Sequence, residues 1–175
     1  KDNLNKKKEM ATLPNETLDQ ASFAFRVIPS DTINIPQPYI VASGNNTLTG
    51  PSALIDNSAQ FQGVGTSVPA VSVGDTVYNE STGEIASVTA VNSNSTITLS
   101  ANIFLITPQV YTIYQPNPDP NSFLLYVGTG GDVEIQTSSP IPVLMKNVGD
   151  ASFIPINVGR VNASNTTASD IIALL

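Results

Sequence analysis

The sequence predicts an all-β protein: a β-sandwich or jelly-roll-like barrel with a small inserted β lobe and a flexible N-terminal arm. Three observations lead there. Thirteen prolines and eleven glycines break 175 residues into short stretches, and those residues favour turns over packed helices. The stretches between them are rich in Val, Ile, Thr, Tyr and Phe, which suit pleated, half-buried surfaces. Where apolar side chains recur, as in Thr96-Ile97-Thr98-Leu99 and Val110-Tyr111-Thr112-Ile113-Tyr114, they do so at period two, which puts Ile97 with Leu99, and Tyr111 with Ile113, on one face of a strand.

Residues 1–20 hold few large apolar side chains and no sustained period, so they read as a basic arm or linker. Ala21 to Ile28 is aromatic and β-branched, is closed by Pro29, and makes a first strand. Ile33 to Ser43 contains Pro36 and Pro38 and suits an edge strand or an extended crossing. Residues 61–114 have their own rhythm: a strand over Thr76 to Asn79, a turn at Ser81-Thr82-Gly83, and a strand carrying Ile85, Val88 and Val91. The alternating strands at Thr96 and Val110 follow, with the apolar run Ile103 to Ile106 between them. After the break at Asn117-Pro118-Asp119-Pro120-Asn121, strands are expected over Phe123 to Val127, Val133 to Gln136, Ile141 to Val148, Phe153 to Val161 and Ile171 to Leu175. Gly128-Thr129-Gly130-Gly131 reads as a hairpin turn between the first two of these. The expected organisation is a discontinuous main β domain over 21–56 and 116–175, with a small lobe over 57–115 inserted in it.

Only 12% of residues are charged, so neutral Asn, Ser, Thr and Gln carry much of the polar surface. The chain has no His, Cys or Trp. Losing His and Cys together removes the usual transition-metal ligands, the usual general base and the best nucleophile, which argues against an enzyme and against a metal or cofactor site. The net charge of −7 is unevenly spread. Lys1, Lys6, Lys7 and Lys8 make the arm basic, while the body beyond Met10 has only Arg26, Lys146 and Arg160 to set against many acids. Such a body repels a nucleic-acid backbone, and only the arm is suited to touch one or to dock on an acidic neighbour. No apolar run is long enough to cross a membrane as a helix, and no apolar stretch of a secretory leader follows the N-terminal charges.

Candidate sites are few. Asp132 and Glu134 alternate along one strand and so face one side, roughly 6 to 7 Å apart. Such a pair serves glycoside hydrolysis or calcium binding, but surface charge is the plainer reading. Asn117, Asp119 and Asn121 offer alternating oxygens without the bidentate glutamate of a calcium loop. Lys146 is the one body lysine available for Ser–Lys catalysis, which would require it to be buried. Asn-x-Ser/Thr sequons at Asn15, Asn45, Asn79, Asn94, Asn162 and Asn165 are of the kind chance produces in such a composition. Tyr111 and Tyr114 lie on opposite faces of one strand, so at most one of them is expected in a core.

The C-terminal third carries a resemblance. Lys146-Asn147-Val148, Phe153-Ile154-Pro155, Arg160-Val161 and the closing segment Thr166 to Ile172 resemble the C-terminal part of phage spike-base or capsid-decoration proteins. The stretches GDTVYNESTGEIASVTAV, TITLSANIF and YTIY are similar to β modules of virion proteins from tailed phages and large DNA viruses. The resemblance covers a little over half the chain. It implies a non-enzymatic structural subunit located in the virion, a homo-oligomer such as a homotrimer, in contact with neighbouring capsid or spike proteins. The expected assembly contacts are Lys6, Lys7 and Lys8 in the arm and the apolar end Ile171, Ile172, Leu174 and Leu175. A carbohydrate- or receptor-binding module of a viral fibre or spike is the alternative.

Overall fold

The computed structural model describes residues 21–65, 67–118 and 123–175, and among them the protein is all-β, without helix. The arm expected over residues 1–20, with Lys6, Lys7 and Lys8, lies outside the described residues. The first strand is β1 (Ala24–Arg26). It is followed by β2 (Ile40–Asn45), β3 (Ala53–Ile55), β4 (Thr76–Asn79), β5 (Glu84–Val91), β6 (Thr96–Leu99) and β7 (Val110–Tyr114). The C-terminal series is β8 (Phe123–Thr129), β9 (Gly131–Gln136), β10 (Val143–Val148), β11 (Ser152–Val158), β12 (Arg160–Asn162) and β13 (Ser169–Leu174).

Two sheets, ordered β1-β13-β8-β11 and β10-β9-β12, face each other as a sandwich. Alternation decides what goes inside: in β8, Phe123, Leu125 and Val127 are buried while Leu124 faces out. They meet Ile171 and Ala173 of β13, and across the core Val133 and Ile135 of β9 and Val161 of β12. The remaining strands form one antiparallel sheet in the order β2-β7-β4-β5-β6-β3. This sheet curls as a half-barrel around a second core that includes Leu54, Phe61, Val77, Ile97, Phe104 and Ile113. Its two edges approach where the Thr47 amide, just past β2, donates to the Ile55 carbonyl at 2.8 Å.

The two cores are joined by rings. Phe25 of β1 stacks on Tyr114 of β7 at 5.9 Å and meets Phe123 edge-on at 5.5 Å, while Tyr114 meets Tyr78 of β4 at 5.1 Å. Both Tyr111 and Tyr114 are therefore buried, contrary to expectation. Tyr111 points into the half-barrel, and Tyr114, on the other face, is covered by the sandwich.

Sheet membership also differs from the expected split. Residues 40–55, grouped with the main domain on sequence, pair inside the six-stranded sheet, β2 with β7 and β3 with β6. Pro36 and Pro38 precede β2 instead of interrupting it, so its inward Ala42 and Gly44 can sit opposite Ile113 and Tyr111. Gly128-Thr129-Gly130-Gly131 is not a hairpin. β8 pairs with β13 and β11, and β9 with β10 and β12, so the chain crosses here from one sheet to the other. Likewise Phe153 to Val161 is two strands, with β11 in one sheet and β12 in the other. Ile103 to Ile106 forms no strand: Ile103 and Phe104 enter the core, and Leu105 and Ile106 face solvent.

The crossing requires small residues because neighbouring backbone lies against it. A Cβ on Gly128 would sit 2.8 Å from that of Asp170, and one on Gly130 would collide with the Val148 carbonyl oxygen. Gly130→Ala should accordingly cost about 1–3 kcal/mol. Urea unfolding checks this, the expected result being a lower midpoint with an unchanged slope.

Candidate functional site

The sequence-derived candidates resolve into structural roles. Asp132 Oδ1 accepts the Asn147 amide at 2.9 Å, and its backbone carbonyl accepts the amides of Thr167 and Ala168. The two oxygens of Glu134 accept the side-chain amides of Asn162 (2.8 Å) and Asn165 (3.0 Å). The Thr166 and Thr167 hydroxyls accept the amides of Glu134 and Asp132 in turn. This pair therefore ties the segment between β12 and β13 to the face of β9. Lys146 is exposed, the opposite of what deprotonation by burial needs. Asn117 is described, whereas Asp119 and Asn121 lie outside the described residues. Among the described residues, no three carboxylates converge as a metal site.

The apolar C-terminus runs through its own sheet. β13 lies between β1 and β8, with Ile171 at 2% exposure in the sandwich core; Ile172 and Leu174 are half-buried, and Leu175 is exposed. Ile171 is thus spent inside the fold and offers nothing to a neighbour.

Two features stand out that composition did not disclose. The first is one side of the sandwich that is open among the described residues. On the opposite side, the edge of β12 is covered by the segment after β1, where the Ser30 amide donates to Val161 O and the Ile35 amide to Gly159 O. At the open side, the short connection 149–151 leads from β10 to β11, each the edge of its sheet. Both edge strands carry exposed apolar side chains: Ile141, Val143 and Leu144 on or next to β10, and Phe153 (65% exposed) and Ile156 on β11, with Leu144, opposite Glu134, and Phe153, opposite Tyr126, on the outward faces of their two sheets. Tyr126 packs edge-on against Phe153 at 5.3 Å. Monomeric proteins usually protect such edges with charge, proline or a cover. Here Pro155 and Lys146 interrupt the edges without covering the apolar groups.

The second is a cleft of about 480 Å³ where the half-barrel edges diverge. One wall is β2, the other the turn after β3, and the floor holds Asp56 and Tyr111. Asp56 is 5% exposed; its Oδ2 accepts the Tyr111 hydroxyl at 2.8 Å and its Oδ1 the Ser58 amide at 2.8 Å. Gly44 allows this, because a Cβ there would lie 2.8 Å from Asp56 Oδ2 and 2.9 Å from the Tyr111 hydroxyl oxygen. Asp56 and Tyr111 are far apart in sequence, so the only local hint was Asp56 opening a turn. No protein-family model, curated protein or solved structure matches the chain.

Burial, foremost, pushes the phenols of Tyr78, Tyr111 and Tyr114 above their ordinary value; the Asp56 hydrogen bond adds to this at Tyr111, and the charge of Glu80 at Tyr114. The fold holds these groups protonated, whereas an unfolded tyrosine ionises near pH about 10. Their contribution to stability is therefore complete below that pH and is lost as pH rises beyond it. Phenolate absorbance followed together with far-ultraviolet circular dichroism should show these three rings ionising only as the strands unfold.

Proposed function

We propose that the protein is a non-enzymatic structural subunit of a virion: a decoration, spike-base or minor coat protein that works by packing against copies of itself and against neighbouring coat proteins. The observation that carries this reading is the open side of the sandwich. Two adjacent sheet edges present Ile141, Val143, Leu144, Phe153 and Ile156 to solvent, while the opposite side is closed by the protein's own chain. Covering that surface with a second copy removes apolar area from water and protects both edges.

Pro155 takes a backbone donor from the β11 edge. Copies are therefore expected to meet through side chains and not through a continuous strand ladder. The resemblance of the C-terminal third to spike-base and decoration proteins supports the virion setting, and the basic arm suits contact with an acidic body of the same kind. A homotrimer is the expected assembly.

Light scattering on the purified chain tests the proposal. It should give the mass of a closed oligomer, and Leu144→Asp together with Phe153→Asp should convert it to monomer with an unchanged far-ultraviolet spectrum. A monomeric wild type at high concentration, or an oligomer indifferent to both substitutions, would refute self-assembly through this side.

A further inference from the structure

We infer that the cleft between β2 and the turn at residues 56–60 binds a short neutral saccharide, with the Asp56 carboxylate receiving its hydroxyl groups. Four features of the cleft lead there, beginning with size. At about 480 Å³ it falls within the roughly 300 to 1,000 Å³ of small-molecule sites.

Charge comes second. None of Arg26, Lys146 or Arg160 lines the cleft, and Arg26 is paired with Glu80 at 2.9 Å. Among the described residues, a phosphate or carboxylate ligand would meet no cation and one carboxylate. A metal ion would find a single carboxylate whose two oxygens both already accept hydrogen bonds.

The third feature is unspent hydrogen-bonding capacity. A carboxylate offers about four lone-pair positions. At Asp56 one is taken by the Tyr111 hydroxyl and one by the Ser58 amide. Around the rim, Ser43, Asn45, Ser58 and Gln60 are exposed, and their side chains make no hydrogen bond within the described residues. A purely apolar ligand would strip water from these groups without replacing it, at a cost per group of about 1–3 kcal/mol. Vicinal hydroxyls satisfy both carboxylate and rim.

The fourth is the mixed wall. Val41, Ala42, Ala59 and Val68 give the cleft an apolar surface beside its polar one, which matches a sugar ring with C–H groups on one face and hydroxyls around its edge. An extended peptide is the competing occupant, since β2 is an edge strand. The facing wall at 56–60 is a turn, however, so a peptide could form a ladder on one side only, with its amides committed to β2 and not to the remaining lone pairs of the carboxylate.

The test applies the full chain to an array of neutral oligosaccharides and titrates the best binder by amide NMR. The expected result is a set of shifts confined to residues 41–47 and 56–60 and to Val68 and Tyr111. Binding should weaken about tenfold or more in Asp56→Asn, a loss of about 1.4 kcal/mol. A smaller loss is expected in Gln60→Ala and Asn45→Ala, exposed positions whose substitution leaves the melting temperature unchanged and which decide the matter if Asp56→Asn unfolds. No binding by the wild type, shifts outside the cleft, binding indifferent to these variants, or a response to neutral extended peptides in place of sugars would each overturn the inference. Because the cleft lies in the half-barrel and the proposed assembly surface in the sandwich, saccharide binding and oligomeric mass succeed or fail separately.

Discussion

Phe25 sits between two cores that would otherwise have little to do with one another. It belongs by pairing to the sandwich, where β1 lies against β13, yet its ring stacks on Tyr114 of the six-stranded sheet and meets Phe123 edge-on. Tyr114 passes the contact to Tyr78. Aromatic pairs of this geometry contribute about 0.5–1.5 kcal/mol each beyond the area they bury. The nearby ion pair between Arg26 and Glu80 is partly open to solvent, and such surface pairs add roughly 0–1 kcal/mol. The rings, with Ile28 and Ile85 packed beside Tyr78 and Tyr114, therefore outweigh the ion pair at the junction. They also explain why β4 is buried along its whole length and on both faces: Val77 fills the half-barrel while Tyr78 packs toward the sandwich.

Much of the fold was legible because period-two alternation is a local signal. β6, β7 and β9 announce themselves that way, and Ile97 with Leu99, Tyr111 with Ile113 and Val133 with Ile135 enter a core as the alternation requires, whereas β10 and β11 leave Val143, Leu144, Phe153 and Ile156 exposed. Sheet membership was not legible. Nothing in Ile40 to Asn45 says that its partner lies at Val110 to Tyr114. The glycines at 128–131 look the same whether the chain turns back or crosses to the facing sheet; only the proximity of Val148 and Asp170, brought in from far along the chain, tells the two apart. Tyr114 illustrates the same limit, since its face is covered by Phe25, eighty-nine positions earlier in the chain and far outside any window in which periodicity is read.

The acidic pair on β9 shows how one pattern can hold two meanings. Alternating Asp132 and Glu134 do share a side, as strand geometry demands, but that side is laced to the amides and hydroxyls of Asn147, Asn162, Asn165, Thr166 and Thr167. Their chemistry goes into fixing the closing segment before β13. Asp56, by contrast, carried only the hint of a turn and became notable because folding placed Tyr111 beside it and Gly44 left room for both. In a chain with so few charges, what a carboxylate does depends on which neutral groups surround it.

The dependence of the whole on the ring junction is tested most directly by a double-mutant cycle on Phe25→Leu and Tyr114→Leu, read by urea unfolding. The two substitutions should prove non-additive, with a coupling of about 0.5–1.5 kcal/mol, because each removes half of the same stacked contact. Losses that add to within roughly 0.3 kcal/mol would contradict the account and show that the sandwich and the half-barrel are held together by something other than these rings.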